Sequence, residues 1–325
     1  MRLTLPASYE PYCISITRLA LSIVKLLQMG HAMSQTAPPS VPGNAGAQIE
    51  QAADARMGYE VSDGIATITI QRAEKLNALL PEMILVMADL IECARRDPKA
   101  RAVVLRGEGT SFCAGDDLHP EHRFKYGPPD MHTRLKMGYP RLVNDIMQLR
   151  KPVIAMMRGY AAGAGFDLAL ACDFRIAAPD TRMAAIYVRR GLGGGATYLL
   201  PRFVGLGKAT ELLLLGGWIE AEEALRLNLL TRVVPEEQLE AETYALAAKL
   251  AKGPTQAIGA IKNARNQGLG LDPVKGLEAQ ILCNVELMFH RDAREGPRAF
   301  LQKREPEFTA EWIDLQYDAV DDEYR

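Results

Sequence analysis

Short apolar strands alternating with helices, and then a run of helices, predict an α/β domain followed by an α-helical C-terminal part. Three stretches carry the expectation. Residues 64–71, GIATITIQ, alternate in the period of two that marks a strand. Residues 152–174, PVIAMMRGYAAGAGFDLALACDF, pass from a short apolar run through Gly159, Gly163 and Gly165 into a small-residue helix. Beyond Val204 nearly every segment has helical spacing.

The totals set bounds. A chain of 325 residues can bury a full core, as one large or two small domains. Hydrophobic content of 48% and charged content of 24% are those of an ordinary soluble protein. A formal charge of −2 argues against a nucleic-acid-binding surface, which needs a basic excess. Cys13, Cys93, Cys113, Cys172 and Cys283 are scattered and odd in number. They form neither a disulfide ladder nor zinc-ligand pairs, so a reducing, cytoplasmic compartment is expected.

Residues 1–56 differ from the rest. The apolar stretch 13–29 is interrupted by Arg18 and Lys25 and falls short of a membrane span. Segment 34–48, SQTAPPSVPGNAGAQ, has linker composition. Two accounts stay open: a processed or disordered leader, or a true start at Met33 or Met57. Ordered structure is expected from about Tyr59, with a core over 57–252 and a helical region over 253–325.

After the first strand, residues 72–83 (RAEKLNALLPEM) turn into an amphipathic helix running to about Arg95 and closed by Asp97-Pro98. Residues 102–106 form a second apolar strand, followed by the loop GEGTSFCAGDDL (107–118). Leu135, Tyr139, Leu142, Ile146 and Leu149 lie on one side of a helix over 131–149. After the glycine turn come a strand at 174–177 and an irregular stretch over 184–200. Helices are then expected over 208–215, 221–227, 236–251, 255–267, 277–289 and 293–303.

A strand feeding a glycine turn that opens a helix leaves backbone N–H groups converging on one spot, where the helix dipole favours an anion. A dinucleotide fingerprint is a weak account of this turn. Arg158 to Ala162 separate the glycines from their strand, and no acidic strand end follows about twenty residues on. His119 and His122, with Asp117 or Glu121, invite a metal, but their spacing matches no zinc motif; polar lid residues are the better account.

Taken together, GYAAGAGFDLA (159–169), FCAGDDL (112–118), LNALL (76–80) and the frame RRGLGGGATYLLPRFVG (189–205) resemble the enoyl-CoA hydratase/isomerase (crotonase) superfamily over residues 58–308. The resemblance implies a spiral of ββα repeats whose C-terminal helices mediate trimer contacts, as a homotrimer or dimer of trimers. It implies an acyl-CoA thioester as substrate, coenzyme A entering as part of that substrate, and neither a separate cofactor nor a metal.

Residue by residue, it places the two oxyanion N–H donors at Asp116 and Ala164, with Ala114, Gly115 and Gly163 beside them against the substrate. Losing one such donor typically costs about 3 kcal/mol of transition-state stabilisation. Asp167 holds the position of the first of two family carboxylates; otherwise it merely complements a helix N-terminus, worth about 0.3–1 kcal/mol. Tyr187 stands where the second carboxylate is missing, as a hydroxyl donor or as pocket wall. A phenol titrating near 10 is a poor general base without a strong perturber. Asp117 is expected to cap the following helix. Coenzyme A is expected along Asn77, Ala78 and Leu79, with Arg72 and Lys75 at its phosphates and Phe300 and Lys303 reaching that of a neighbouring subunit. Enoyl-CoA hydration is the family default. One carboxylate leaves an isomerase, hydrolase or lyase open, and so does a non-catalytic assembly or RNA-binding form. The last needs a lysine-rich early helix, and 82–101 is mostly apolar.

Overall fold

The structure, a computed structural model, describes residues 56–123 and 138–313. The expected leader, the end of the chain beyond Ile313 and the first part of the helix expected over 131–149 lie outside the described residues.

The chain opens with a hairpin, β1 (Met57–Ser62) and β2 (Ile65–Ile70), paired antiparallel. Asp63 and Gly64 both take positive φ, at 51° and 80°, as the tightest hairpin turn requires. Helix α1 (Pro81–Arg96) leads to β3 (Ala102–Gly107), the four-residue α2 (Pro120–Arg123) and α3 (Tyr139–Gln148). Then follow β4 (Val153–Met157), β5 (Tyr160–Ala162), α4 (Ala164–Ala171), β6 (Phe174–Ala177) and β7 (Arg182–Ala184). Next are α5 (Leu200–Leu215), β8 (Ile219–Glu220), α6 (Ala221–Arg226) and β9 (Arg232–Val233). The tail is α7 (Glu236–Lys252), α8 (Thr255–Gly268), α9 (Pro273–Leu287) and α10 (Asp292–Gln302).

Six strands form one sheet in the order β1-β2-β3-β4-β6-β9, parallel except for the first pair. Its central strands are apolar on both faces because helices cover both. Ala66, Ile68, Val103, Leu105, Val153 and Ala155 join the core that α1, α3 and α4 share. Ile65, Val104, Ile154, Met156 and Ile176 meet Leu239, Ala247 and Ala251 of α7 on the other face. A second, three-stranded sheet orders β5-β7-β8.

Several expectations shift. The stretch read as irregular begins on the last residue of β7 and holds a 3-10 turn over Ile186–Arg190. Helix α5 begins at Leu200 rather than 208, broken at Gly205 (φ 74°). Helix α9 begins at Pro273, where the Asp272 side chain accepts from the Val274 and Lys275 N–H groups. Strands β8 and β9 have two residues each, too few to show a period.

Two buried cations tie the layers to the segment that holds the site. Lys262 of α8 donates to Asp173 (2.7 Å) and to the Ile146 carbonyl (2.9 Å), while Asp173 also accepts from the Val153 N–H. Arg175 of β6 donates to the carbonyls of Leu229 (2.6 Å), Cys172 (2.6 Å) and Ala169 (3.2 Å). The last two belong to the C-terminal end of α4, where a cation also complements the dipole. Arg175→Met leaves these buried carbonyls without their donor and is expected to cost about 3 kcal/mol or more. A melting temperature unchanged from the parent would show that they find other partners.

Candidate active site

Three backbone segments lie side by side at the start of α4. Residue 113 is the middle one: its N–H donates to the Tyr160 carbonyl and its C=O accepts from Ala162. On the other flank Ala114 donates to the Leu76 carbonyl, Leu79 donates to Gly115, and Asp117 donates to Leu79. Leu79 and Asp116 therefore form a parallel bridge. In such a bridge the residue between the two bonds turns its own N–H away from the partner, here toward the flank of 162–164.

Glycines let the segments touch. A Cβ on Gly165 would sit 2.1 Å from the Cys113 carbonyl oxygen, a contact no side chain survives. Gly115, at φ 100°, would place a Cβ 2.8 Å from the Ala162 oxygen and 3.5 Å from the Ala164 nitrogen. Ala164 is the first residue of α4, so its N–H has no intrahelical acceptor. The loop carrying Asp116 and the turn carrying Ala164 thus converge.

Asp167 stands in the first turn of α4, three residues on from Ala164. Tyr187 donates its hydroxyl to Asp167 Oδ2 at 2.6 Å. Asp167 Oδ1 is buried and has no hydrogen-bond partner among the described residues. Burial pushes the Asp167 carboxyl up to about 7 from an ordinary 3.8, against the Tyr187 hydroxyl and the Ala196 N–H, which favour the charged form. The Asp116 charge pushes it further in the same direction. Burial, and then the charge of Asp167, drive the Tyr187 hydroxyl far above its ordinary 10, so it stays protonated as a donor. The ring is walled by Gly195, where a Cβ would lie 2.0 Å from Tyr187 Cζ.

A second phenol enters from α3: Tyr139 donates to Asp116 Oδ1 at 2.6 Å. Sequence periodicity assigns Tyr139 to the core face, and its ring does pack against the core. Its hydroxyl at the site leaves no mark in the sequence, because the contact joins residues 23 apart.

The other expected residues divide. Arg72 is 6% exposed and bonded to Asp117 (2.7 Å) and to the Ala78 carbonyl (3.0 Å), so its guanidinium ties the two loops. Asp117 pairs with Arg72 and accepts from the His119 N–H, just ahead of α2. Asn77, fully buried at φ 58°, bonds the carbonyls of Glu108 and Ser111 and so shapes the loop from within. Lys75 is exposed beside Leu76. Phe300, 82% exposed, and Lys303 lie on the surface of the C-terminal region. His119 is exposed, 3.7 Å from Glu121, and among the described residues no cluster of three His, Cys, Asp or Glu side chains could hold a metal.

The sequence and structure place these features among known proteins. The family model described as enoyl-CoA hydratase/isomerase matches residues 60–311. The chain belongs to this family. It is 37% identical over 258 residues to the 1,2-epoxyphenylacetyl-CoA isomerase of Escherichia coli, covering 77% of this chain and 96% of that one. It is 33% identical over 263 residues to the mitochondrial methylglutaconyl-CoA hydratase of Mus musculus, covering 78% and 82%. The crystal structure of an enoyl-CoA hydratase from Bacillus anthracis matches with a TM-score of 0.74 at 30% identity, over 79% of this chain and all of that one. Membership in the enoyl-CoA hydratase/isomerase family accounts for the mixed α/β body and its helical tail. No helix among the described residues is long and apolar enough to cross a membrane.

Proposed function

We propose that the chain acts on an acyl-CoA thioester, as an enoyl-CoA hydratase-like enzyme that works through an enolate. The observation that carries the reading is Asp167. One oxygen is held by Tyr187, the other is buried without a hydrogen-bond partner among the described residues, and burial pushes the group up to about 7. That is the condition for a carboxyl to give or take a proton at neutral pH. The thioester oxygen is bound by the N–H groups of Asp116 and Ala164, preorganised by the bridged loops, so charge developing there needs no solvent rearrangement. Tyr187 holds Asp167 and keeps one oxygen turned to substrate.

Isomerisation is the second reading, favoured by a carboxyl beside a phenol where the family resemblance implies two carboxylates. The relatives support both, one being named a hydratase and one an isomerase. Coenzyme A runs along 76–79, with Lys75 near its phosphates and Phe300 and Lys303 of a neighbouring copy at its nucleotide, and no separate cofactor or metal takes part. Purified protein is expected to consume crotonyl-CoA, read as loss of the enoyl absorbance. It is also expected to exchange α-protons of a saturated acyl-CoA with deuterated water. Failure of both assays refutes the reading.

The assembly proposed is a trimer or dimer of trimers of spiral ββα cores in the cytoplasm. Helix α9 supports it: none of its residues is buried, and Val274, Leu277, Ile281 and Leu282, with Met288 just past its end, are 56–75% exposed. Contiguous apolar surface of this kind marks a contact between chains. Sedimentation at micromolar concentration is expected to give a trimer or hexamer; a monomer refutes both the assembly and the shared coenzyme A site.

A further inference from the structure

Adding water across a double bond takes two proton transfers at two carbons. Water must lose a proton as its oxygen bonds to the β-carbon, and the α-carbon must gain one. Asp167 can serve only one of these at a time. Among the groups whose charge reaches Asp167 and Tyr187 is a second carboxylate, that of Asp116. It belongs to the same residue whose N–H faces Ala164, so its side chain and the proposed thioester oxygen share one residue. Tyr139 holds it as Tyr187 holds Asp167, with a 2.6 Å bond from a phenol to one carboxylate oxygen.

We propose that the Asp116 carboxylate, held by Tyr139, is the second proton-transfer group of this active site. This rests on the reading of Asp167 given above.

The two carboxyl groups differ in a way that suits opposite roles. Asp167 is buried and takes up its proton near neutrality, a ready acid. Asp116 is exposed at the mouth of the site and accepts from a phenol that burial and its own charge keep protonated. Two carboxyl groups in unlike surroundings divide into acid and base. The hydration step then balances. Asp116 takes a proton from water as the water oxygen bonds to the β-carbon. The π electrons of the double bond move into the enolate held by the two N–H groups. The α-carbon takes the proton of Asp167, which is left ionised. Solvent restores the starting state by removing one proton from Asp116 and giving one to Asp167.

The arrangement also accounts for Asp116 standing where a negative charge opposes an oxyanion. A carboxylate that becomes protonated as the enolate forms no longer repels it. Tyr139, at the start of α3, orients the Asp116 carboxylate through one of its oxygens, and α3 packs beside α4, so the two pairs are held by adjoining helices.

Asp116→Asn keeps the backbone N–H and can still accept from Tyr139, but it carries no proton. The full-length enzyme and this variant are compared in two assays: hydration of crotonyl-CoA, and α-proton exchange of butyryl-CoA in deuterated water. Hydration is expected to fall about 100-fold or more, and by a far larger factor than exchange, whose proton passes through Asp167. Asp116→Glu is expected to recover part of the hydration. Tyr139→Phe is expected to lower hydration more than exchange, by reducing kcat with little change in KM.

Hydration at the parent rate in Asp116→Asn overturns the proposal. So does an equal loss of both activities, which would make Asp116 a shaping element of the oxyanion loop. An enzyme whose parent form exchanges α-protons but adds no water overturns it as well, while leaving the Asp167 reading intact. Exchange that persists in Asp167→Asn refutes that reading separately.

Discussion

Asp167→Asn is expected to lower turnover on an enoyl-CoA by about 100-fold or more, the range for loss of a general acid or base. The substitution preserves shape and lets Tyr187 keep its bond at this position, but it removes the titrating group. Binding of the CoA ester is expected to change little, since backbone and nucleotide contacts hold it. The parent enzyme carries a pH signature that the variant lacks. Because Asp167 gains its proton near 7, hydration falls and α-proton exchange rises as pH is raised through that value. Stability has a matching sign. A carboxyl whose folded value lies above its ordinary 3.8 favours the folded state fully below that value, and the contribution is lost as pH rises through about 7. Asp167→Asn is therefore expected to melt higher than the parent above pH 7 and to match it more closely near pH 4. Tyr187→Phe is the companion: a comparable fall in turnover marks the hydroxyl as a working partner, and a mild one leaves it as pocket wall. Turnover at the parent rate in Asp167→Asn refutes its role.

Gly165→Ala is expected to damage both stability and catalysis with a single methyl group. The new carbon would lie 2.1 Å from the Cys113 carbonyl oxygen and 2.8 Å from the Cys113 Cβ, so the start of α4 and the segment 112–117 must separate. Overpacking of this kind costs about 1–3 kcal/mol, and here the obstruction is the backbone of Cys113 as well as its side chain. The same separation moves the Ala164 N–H away from Asp116, and a displacement of about 1 Å in such an arrangement can cost about 100-fold in rate. Gly193→Ala is the control, because nothing lies within 4 Å of a Cβ there. It is expected to leave melting temperature and rate unchanged. A silent Gly165→Ala would show that the close approach of the two loops is dispensable.

Much of the fold was legible because its signals are local. Residues 65–70 alternate as a strand must, α1 shows helical spacing and ends at Asp97-Pro98, and the glycines at 159, 163 and 165 announce a turn. The hairpin at Asp63-Gly64 was equally local and went unread, although that dipeptide is its ordinary signal. Strands β8 and β9 were out of reach, since two-residue strands exist only through their partners. At the site, the resemblance puts Asp167 and Tyr187 at the two carboxylate positions, but their hydrogen bond to each other spans 20 residues and leaves no mark in the sequence. The pairing of Arg72 with Asp117 was not legible, because a cation beside a binding loop looks the same in sequence whether it faces solvent or an internal carboxylate.

The sequence by itself determined the order of the longer strands and helices, the glycine turn and the residue types at 116, 164, 167 and 187, because propensity, period and motif act over a few neighbours. Only the tertiary structure decided which charges are spent and which are free. Arg72 is held by Asp117, Tyr139 reaches Asp116 across 23 residues, and Tyr187 reaches Asp167 across 20. It also decided that Asp167 titrates near 7, since desolvation depends on everything packed around a carboxyl. Burial and long-range hydrogen bonds are properties of the assembled chain, and no stretch of it carries them alone.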